Sequence, residues 1–186
     1  VGMVQQISGH ALAFGDLAAS MLKRTGCRSV VPVVENRSTS SSIILSPPGS
    51  DRTILHMRGA SQEYGAEDIP QELLAENDLL HFGYPTGMPC MYLDGGETLS
   101  ALFKRAKSAG MATSLDTSFP GVETPSALAD WRTILQKTLP YVDVFLPSYE
   151  ELLMLLHRDR YLAVRDAHPD MRMRDILDDA LLTRMA

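Results

Sequence analysis

Hydrophobic and polar positions are arranged differently before and after Gly59. Over residues 14–23 the apolar side chains recur at helical spacing and Gly26 follows as a stop signal, which predicts a short helix. Segments rich in β-branched and apolar residues then predict strands at residues 30–35, 41–45 and 53–57. The prolines and the glycine in residues 47–51 predict the turn of a hairpin that joins the last two strands.

After Gly59 the sequence alternates between apolar runs and amphipathic segments. The apolar runs predict strands at residues 78–82, 111–115 and 142–146. The helix between the first two strands is expected to end before Gly110 and to bury one face, formed by Leu99, Leu102, Phe103 and Ala106. Strands separated by amphipathic helices predict right-handed crossovers and a parallel sheet.

A second amphipathic helix is predicted between the strands at residues 111–115 and 142–146. Thr124 is its expected N-cap and Pro125 its first helical residue. Its buried stripe is expected to comprise Leu128, Trp131, Leu135 and Leu139. The charges of the tail at residues 158–186 largely cancel, which favours a solvated helical face over a binding arm.

All three strands end in polar or glycine-containing turns. The first is followed by Gly83 and Tyr84, the second by Asp116, and the third by Ser148 and Glu151. Ligands of open parallel sheets bind outside the carboxyl ends of the strands, so this pattern predicts a cleft at that edge. The alternative is that such residues collect in any connection between a strand and a helix.

The composition is that of a folded globular protein, with 45% hydrophobic and 22% charged residues. A length of 186 residues is sufficient for one α/β domain, which we expect to span residues 1–186. The formal net charge of −6 argues against a nucleic acid or an anionic membrane as partner, because such binders present basic surfaces. A small-molecule ligand is therefore the expected partner.

Known short motifs exclude several classes of enzyme. The sequence contains no P-loop, no dinucleotide-binding glycine fingerprint, no zinc-protease helix and no hydrolase nucleophile elbow. Cys27 and Cys90 lie far apart without a metal-ligand pattern, so we expect buried free thiols in a cytoplasmic protein. His81 falls in a predicted buried strand, where a hydrogen-bonded core residue is expected rather than a catalytic base.

The order of motifs after residue 30 resembles the PfkB family of carbohydrate kinases, the ribokinase-like group. Thr39 and Ser40 open a strand, and the hairpin follows around residues 49–53. The sequence Arg58-Gly59-Ala60-Ser61 stands where the family commonly has Gly-Ala-Asn. Matching segments continue at residues 78–84, 114–116 and 142–151, and the last looks like the family's strand followed by Pro-Asn-x-x-Glu.

The resemblance implies an α/β fold of the ribokinase-like, Rossmann type, a three-layer sandwich with a mainly parallel sheet. It implies a βαβ core at residues 78–157 and a small β-rich element at residues 30–57, which either covers the sugar or joins two copies in a homodimer. The implied reaction is transfer of the ATP γ-phosphoryl group to a hydroxyl of a sugar or sugar-like substrate, with ATP and Mg²⁺ as cofactors.

The resemblance also implies roles for individual residues. The positions that match substrate contacts are Arg58, Gly59, Ala60 and Tyr84. Asp116 and Ser148 match the phosphate and nucleotide region, although the family has Asn where this chain has Ser148. Glu151 matches a glutamate that organises Mg²⁺ through water, which suits a cation that keeps most of its hydration shell.

Purely structural roles remain open for the same residues. Ser148 and Glu151 have the spacing of a capping box, in which each side chain bonds to the backbone amide of the other residue. Asp116 alone would be an ordinary turn residue. A helix N-terminus that exposes amides also favours an anion, so capping and ligand binding are compatible.

Some family motifs have no counterpart in the sequence. The family's catalytic base and anion hole lie in a Gly-Ala-Gly-Asp motif, and nothing after Glu151 resembles it, so no catalytic residue is assigned. The N-terminal Gly-Gly segment that binds the sugar has no match either, and Leu12 stands where relatives have an acidic residue. We therefore expect a central segment of a kinase that lacks both ends and is inactive alone. The alternative function is a non-catalytic binding or interaction module derived from the same fold, and the sequence does not name the sugar.

Overall fold

The computed structural model describes residues 2–4, 7–8, 14–26, 28–30, 32–49, 52–169, 171 and 176. In chain order its strands are β1 (Gly2–Val4), β2 (Ile7–Ser8), β3 (Arg28–Val30), β4 (Val33–Val34), β5 (Ser41–Leu45), β6 (Thr53–Met57), β7 (Leu79–Phe82), β8 (Ala112–Asp116) and β9 (Val144–Leu146). Its helices are α1 (Phe14–Arg24), α2 (Gln71–Ala75), α3 (Glu97–Ser108), α4 (Pro125–Leu128), α5 (Trp131–Thr138), α6 (Tyr149–Leu156) and α7 (Arg158–Ala167).

The parallel sheet is formed by β7, β8 and β9, with β8 in the middle. Phe82 lies opposite Leu115, and Leu115 lies opposite Phe145, so three large apolar side chains stand side by side on one face. Helices α3 and α5 lie in the two crossovers between these strands, as the alternating pattern predicts. The prediction of a parallel α/β sheet is confirmed.

Helix α3 contributes its apolar face to the core that covers this side of the sheet. Its predicted stripe is fully buried, and it packs on the sheet with Phe82 and Phe103 in an edge-to-face pair whose ring centroids are 6.2 Å apart. Gly96 is the N-cap residue of the helix, and the carboxylate of Asp94, two residues earlier, accepts from the amides of Gly96 at 2.9 Å and Thr98 at 2.8 Å. Gly110, at φ +85°, follows the end of the helix as predicted.

The single helix predicted from Thr124 to Leu139 is wrong, since the structure has two. Thr124 caps α4 as expected, but the chain leaves helical geometry at Ala129 and Asp130 begins α5 as a second N-cap. The break turns Leu128 away from the core, where it is 69% exposed instead of buried. Asp130 accepts hydrogen bonds from both the amide and the hydroxyl of Thr133, which makes it a strong start signal.

The strands before residue 58 form small two-stranded units. The predicted hairpin is confirmed, with β5 and β6 antiparallel and Ile43 opposite Leu55. By contrast, β3 and β4 pair in parallel with β1 and β2, respectively, and not with the hairpin. The predicted helix near the start of the chain is present as α1.

Two expectations about single side chains need correction or qualification. His81 is exposed rather than buried, although its Nδ1 lies 3.1 Å from the hydroxyl of Ser114, because it stands on the sheet face opposite the α3 side. Cys90 is a free, half-buried thiol that donates to the carbonyl of Tyr64 at 2.6 Å, and burial raises its pKa. Ser50 and Asp51 of the predicted turn, as well as Leu12, Cys27 and most of the tail after residue 169, lie outside the described residues.

Polar contacts fasten the helices to neighbouring segments. The guanidinium of Arg105 on α3 donates to two carbonyl oxygens of the segment 66–69, each at 3.0 Å. At the amino end of the sheet, the carboxylate of Asp143 accepts from Lys107 and, at 2.8 Å, from the amide of Thr113. The hydrogen bond from Lys107 is the main cause that holds the pKa of Asp143 below its usual range. Among the described residues, no helix is long and apolar enough to cross a membrane.

Gly96, the N-cap residue of α3, lies against Ile134 of α5. It has φ +83°, and a Cβ at this position would lie 2.8 Å from Cγ2 of Ile134. We expect Gly96→Ala to destabilise the protein by about 1–3 kcal/mol through overpacking, in addition to the backbone cost of a positive φ. Gly110→Ala is a matched control, since Gly110 has a similar φ but no atom within 4 Å of the added Cβ.

Urea unfolding of both variants checks this. Gly110→Ala should lower the free energy of unfolding only by the backbone cost of a positive φ, about 1–2 kcal/mol. Equal decreases in the free energy of unfolding of the two variants would show that α3 and α5 are not in close contact at Gly96.

Candidate functional site

The carboxyl ends of β7 and β8 lie next to each other. A Cβ on Gly83 would be 3.4 Å from the Cβ of Asp116, so the two turns are in van der Waals range. The Gly83–Tyr84 peptide bond is cis, and the Tyr84 side chain that follows is 51% exposed. Tyr84 is therefore accessible to a ligand beside a half-buried carboxylate.

Hydroxyl groups reinforce the contact between the same two strand ends. The side-chain oxygens of Thr86 and Ser118 are 2.7 Å apart, and the amide of Ser118 donates to Thr86 Oγ1 at 3.3 Å. Thr86 is fully buried, so its hydroxyl is held by the surrounding protein. This link fixes the turn after β8 against the turn after β7.

A second hydroxyl joins the end of β8 to the helix that follows β9. Thr117 Oγ1 donates to Oε2 of Glu151 at 2.9 Å, and the amide of Ser148 donates to the same oxygen at 2.9 Å. The three strand ends are thus connected through side chains, and the convergence expected from the sequence is present in the structure. Asp116, Ser148 and Glu151 are brought to one edge of the sheet.

The capping role of Ser148 and Glu151 is also present. Ser148 Oγ accepts from the amide of Glu151 at 3.2 Å, while Glu151 accepts from the amide of Ser148, which completes a capping box at the start of α6. The capping role is confirmed, while the ligand role of the pair stays a prediction; the cap uses only one of the two carboxylate oxygens of Glu151.

The charge at this edge is negative and not neutralised. Neither Asp116 nor Glu151 forms an ion pair with any residue that the structure describes. The N-terminus of α6 lies beside them and carries a partial positive charge. Such an arrangement suits an anion that brings its own cation better than a bare anion, since unpaired carboxylates repel the latter.

The described part of the chain has no cluster of three or more His, Cys, Asp or Glu side chains that could hold a metal by themselves. This does not conflict with a hydrated Mg²⁺, which binds through one or two carboxylates together with substrate phosphates and keeps several waters. Asp116 and the free oxygen of Glu151 fit that requirement.

The turn at Arg58, Gly59 and Ala60 is held by contacts of its own. Gly59 has φ +52°, and a Cβ there would lie 2.3 Å from the carbonyl oxygen of Ser38, so only glycine fits. The amide of Ala60 donates to the same carbonyl at 2.8 Å. The helical turn Gly59–Glu63 packs against Pro89–Met91, a segment that follows Tyr84 in the chain.

The close contact of the Gly59 backbone is therefore made with Ser38. A sugar contact at Arg58, Gly59 or Ala60 stays a prediction, as does the contact of Tyr84.

Sequence reasoning missed three hydroxyl residues of the site. Thr117 and Ser118 directly follow Asp116 in the polar turn after the second predicted strand, but no sequence pattern singles out these two residues or Thr86. Their importance lies in pairings across the strand ends, which depend on the register of the sheet. A cluster of Thr and Ser directly after neighbouring parallel strands is the signal that could have pointed to them.

No family model and no curated protein matches the sequence. Solved structures do match, among them the following three. A ribokinase from Giardia lamblia has a TM-score of 0.62 at 16% identity, covering 82% of this chain and 42% of the other. A PfkB protein from Polaromonas sp. JS666 has a TM-score of 0.63 at 17% identity, covering 83% and 51%. A fructokinase with bound ATP from Xylella fastidiosa has a TM-score of 0.64 at 19% identity, covering 88% and 50%.

These similarities establish the fold. The chain has the ribokinase-like α/β fold, and the resemblance to PfkB carbohydrate kinases seen in its motifs is confirmed at that level. The chain spans about half the length of the structures it matches, so activity and substrates do not follow from the similarity.

The cap at α6 gives a stability prediction. Ser148→Ala removes the acceptor for the Glu151 amide and should lower the free energy of unfolding by about 1 kcal/mol, whereas Ser148→Asn should retain most of the stability. Ser108→Ala, at the last residue of α3, is the control for the same substitution outside a cap. Urea unfolding measures all three, and a stability of Ser148→Ala equal to that of the control would rule out a functioning cap.

Proposed function

We propose that the chain contributes the phosphate-binding edge of an ATP-dependent carbohydrate kinase, which transfers a phosphoryl group to a hydroxyl of a sugar or sugar-like substrate. The observation that carries this proposal is the junction of the three strand ends, where Thr117 bonds to Glu151 and Thr86 lies against Ser118. The junction sets two unpaired carboxylates beside the N-terminus of α6. A structural neighbour with the same fold has ATP bound, which supports the nucleotide as ligand.

The electrostatics of this edge favour ATP together with Mg²⁺. Phosphoryl transfer depends mainly on positioning and on neutralising the phosphate charge. We assign Glu151 to the Mg²⁺ through water, and Asp116 and Ser148 to the phosphate region. When bound, Mg²⁺ would neutralise part of the phosphate charge, and the protein's part is to orient the nucleotide and to keep these carboxylates in place.

The substrate side is assigned to Tyr84 and to the turn at Arg58, Gly59 and Ala60. Tyr84 has an exposed ring and hydroxyl directly beside the end of β7, which suits a polar, flat-faced ligand such as a sugar. We propose that the sugar lies between Tyr84 and this turn, against the segment Pro89–Met91. That segment contacts the helical turn Gly59–Glu63. Which sugar binds depends on a few placed polar groups of the complete pocket.

ATP binding measured by calorimetry, with and without Mg²⁺, tests the proposal. We expect Mg²⁺ to increase the affinity of this chain for ATP. Glu151→Gln should reduce that gain by about 10-fold, which is typical when a group that orients metal ligands is lost. Glu72→Gln, which changes an exposed carboxylate in the first turn of α2, should leave it unchanged. ATP binding that is independent of Mg²⁺, or a Glu151→Gln variant equal to wild type, would contradict the assignment.

A non-catalytic binding or interaction module derived from the same fold is the second candidate, since the 186 residues themselves contain no Gly-Ala-Gly-Asp motif that would supply a catalytic base. For either candidate function, we propose that these 186 residues alone do not catalyse phosphoryl transfer. A panel of ribose, fructose, ketodeoxy sugar acids and nucleosides, read by thermal shift with Mg²⁺ and ATP, separates the two. A kinase site should bind sugar and nucleotide together, and a simple module only one of them. Sugar-dependent ADP release from the chain would refute the inactivity.

We also propose that the hairpin of β5 and β6 joins two copies of the chain. Its apolar side chains are about half exposed, namely Ile43, Ile44, Leu45, Ile54, Leu55 and Met57. Such a patch is unusual on a monomer and typical of an interface. The other use of the hairpin, as a cover for the sugar, stays open.

A cytoplasmic location, inferred from the cysteines, stays a prediction.

Sedimentation of the purified chain tests the homodimer. The double variant Ile43→Lys and Leu55→Lys places two charges opposite each other on the hairpin, so we expect it to be monomeric at concentrations where the wild type is dimeric. Leu93→Lys, at an exposed apolar residue outside the hairpin, should leave the dimer intact. A monomeric wild type at micromolar concentrations would contradict the proposal.

A further inference from the structure

The two carboxylate oxygens of Glu151 have different surroundings. Oε2 accepts two hydrogen bonds, one from the amide of Ser148 and one from the hydroxyl of Thr117, each at 2.9 Å. Among the hydrogen bonds and ion pairs of the described residues, none involves Oε1. The side chain is thus anchored at one oxygen and open at the other.

The bond from Thr117 is not required for the helix cap. The capping box is complete with the reciprocal bonds between Ser148 and Glu151, which need only the amide donor at Oε2. Thr117 adds a second donor from a different strand end. Thr117 is itself held in place, because it is 3% exposed and directly follows β8, the central strand of the sheet.

A hydroxyl has one proton, so the bond commits the donor of Thr117 to Glu151. Two donors on one carboxylate oxygen fix both the position and the rotation of the carboxylate plane. A charge-assisted hydrogen bond of this kind is stronger than a bond between neutral groups. The remaining lone pairs, on Oε1, are then held in a constant place in the first turn of α6.

We propose that Thr117 is a positioning residue of the phosphoryl-transfer site: its hydroxyl commits Oε2 of Glu151 to the protein and leaves Oε1 to accept a hydrogen bond from a water of the hydrated Mg²⁺. This inference rests on the proposed function. It also explains how Glu151 can be oriented although this chain has Ser148 where the PfkB family has asparagine. The hydroxyl of Thr117 helps to set that orientation.

Thr117→Val and Thr117→Ser test the proposal, since valine keeps the shape of threonine without the hydroxyl and serine keeps the hydroxyl. We expect Thr117→Val to reduce the Mg²⁺-dependent gain in ATP affinity by about 10-fold, and Thr117→Ser to restore it. Thr133→Val removes a comparable hydroxyl–carboxylate contact, that with Asp130 on α5, and should not change the gain. In a Glu151→Gln background, Thr117→Val should have no further effect on the gain.

A second measurement does not need ATP. Side-chain couplings of Glu151 in the NMR spectrum of the free chain should report one rotamer in the wild type and in Thr117→Ser, and averaged rotamers in Thr117→Val. Unchanged couplings in Thr117→Val would overturn the positioning role. If the couplings change but the wild type binds ATP without a Mg²⁺ effect, the proposed function fails and the link to Mg²⁺ with it, while the contact between Thr117 and Glu151 stands.

Discussion

The site depends on the burial of one face of the β7–β8–β9 sheet against α3 and α5. Phe82, Leu115 and Phe145 lie in register across the strands and pack into that core. Because side chains alternate between faces, a shift of one residue would turn any of these strands over and expose its apolar residues. Burial therefore fixes the register of each strand and with it the position at which the polar turns begin, and the contacts of Thr86, Ser118, Thr117 and Glu151 then join these turns to one another.

This dependence explains which features could be predicted from the sequence. The stripe of α3, the strand at Leu79–Phe82 and the capping box at Ser148 are local patterns, and each is present as predicted. The bond from Thr117 to Glu151 joins residues 34 positions apart, so it follows only once the strands are in register. The break at Asp130 was missed for another reason, since the apolar period continued across a residue whose side chain starts a new helix.

In the proposed site, the same groups at α6 would serve both local stability and ligand binding. Capping satisfies amides at the start of the helix and places a carboxylate there, and that carboxylate needs only one oxygen for the purpose. The second oxygen is available to a ligand at no loss to the helix. Proteins with the same fold can therefore keep the cap while changing the residues around it, which is why a capping motif alone does not distinguish a kinase site from a structural helix start.

The acidic character of the chain and of its candidate site have one consequence in common. With a formal net charge of −6 and two unpaired carboxylates at the strand ends, the protein offers little long-range attraction to a free nucleotide. On the proposed function, attraction would arise at short range, where the cation that accompanies the phosphates would meet the carboxylates and the phosphates would meet the N-terminus of α6. A site of that kind would select a nucleotide with its metal over the nucleotide alone, because the two charges must arrive together to be stabilised.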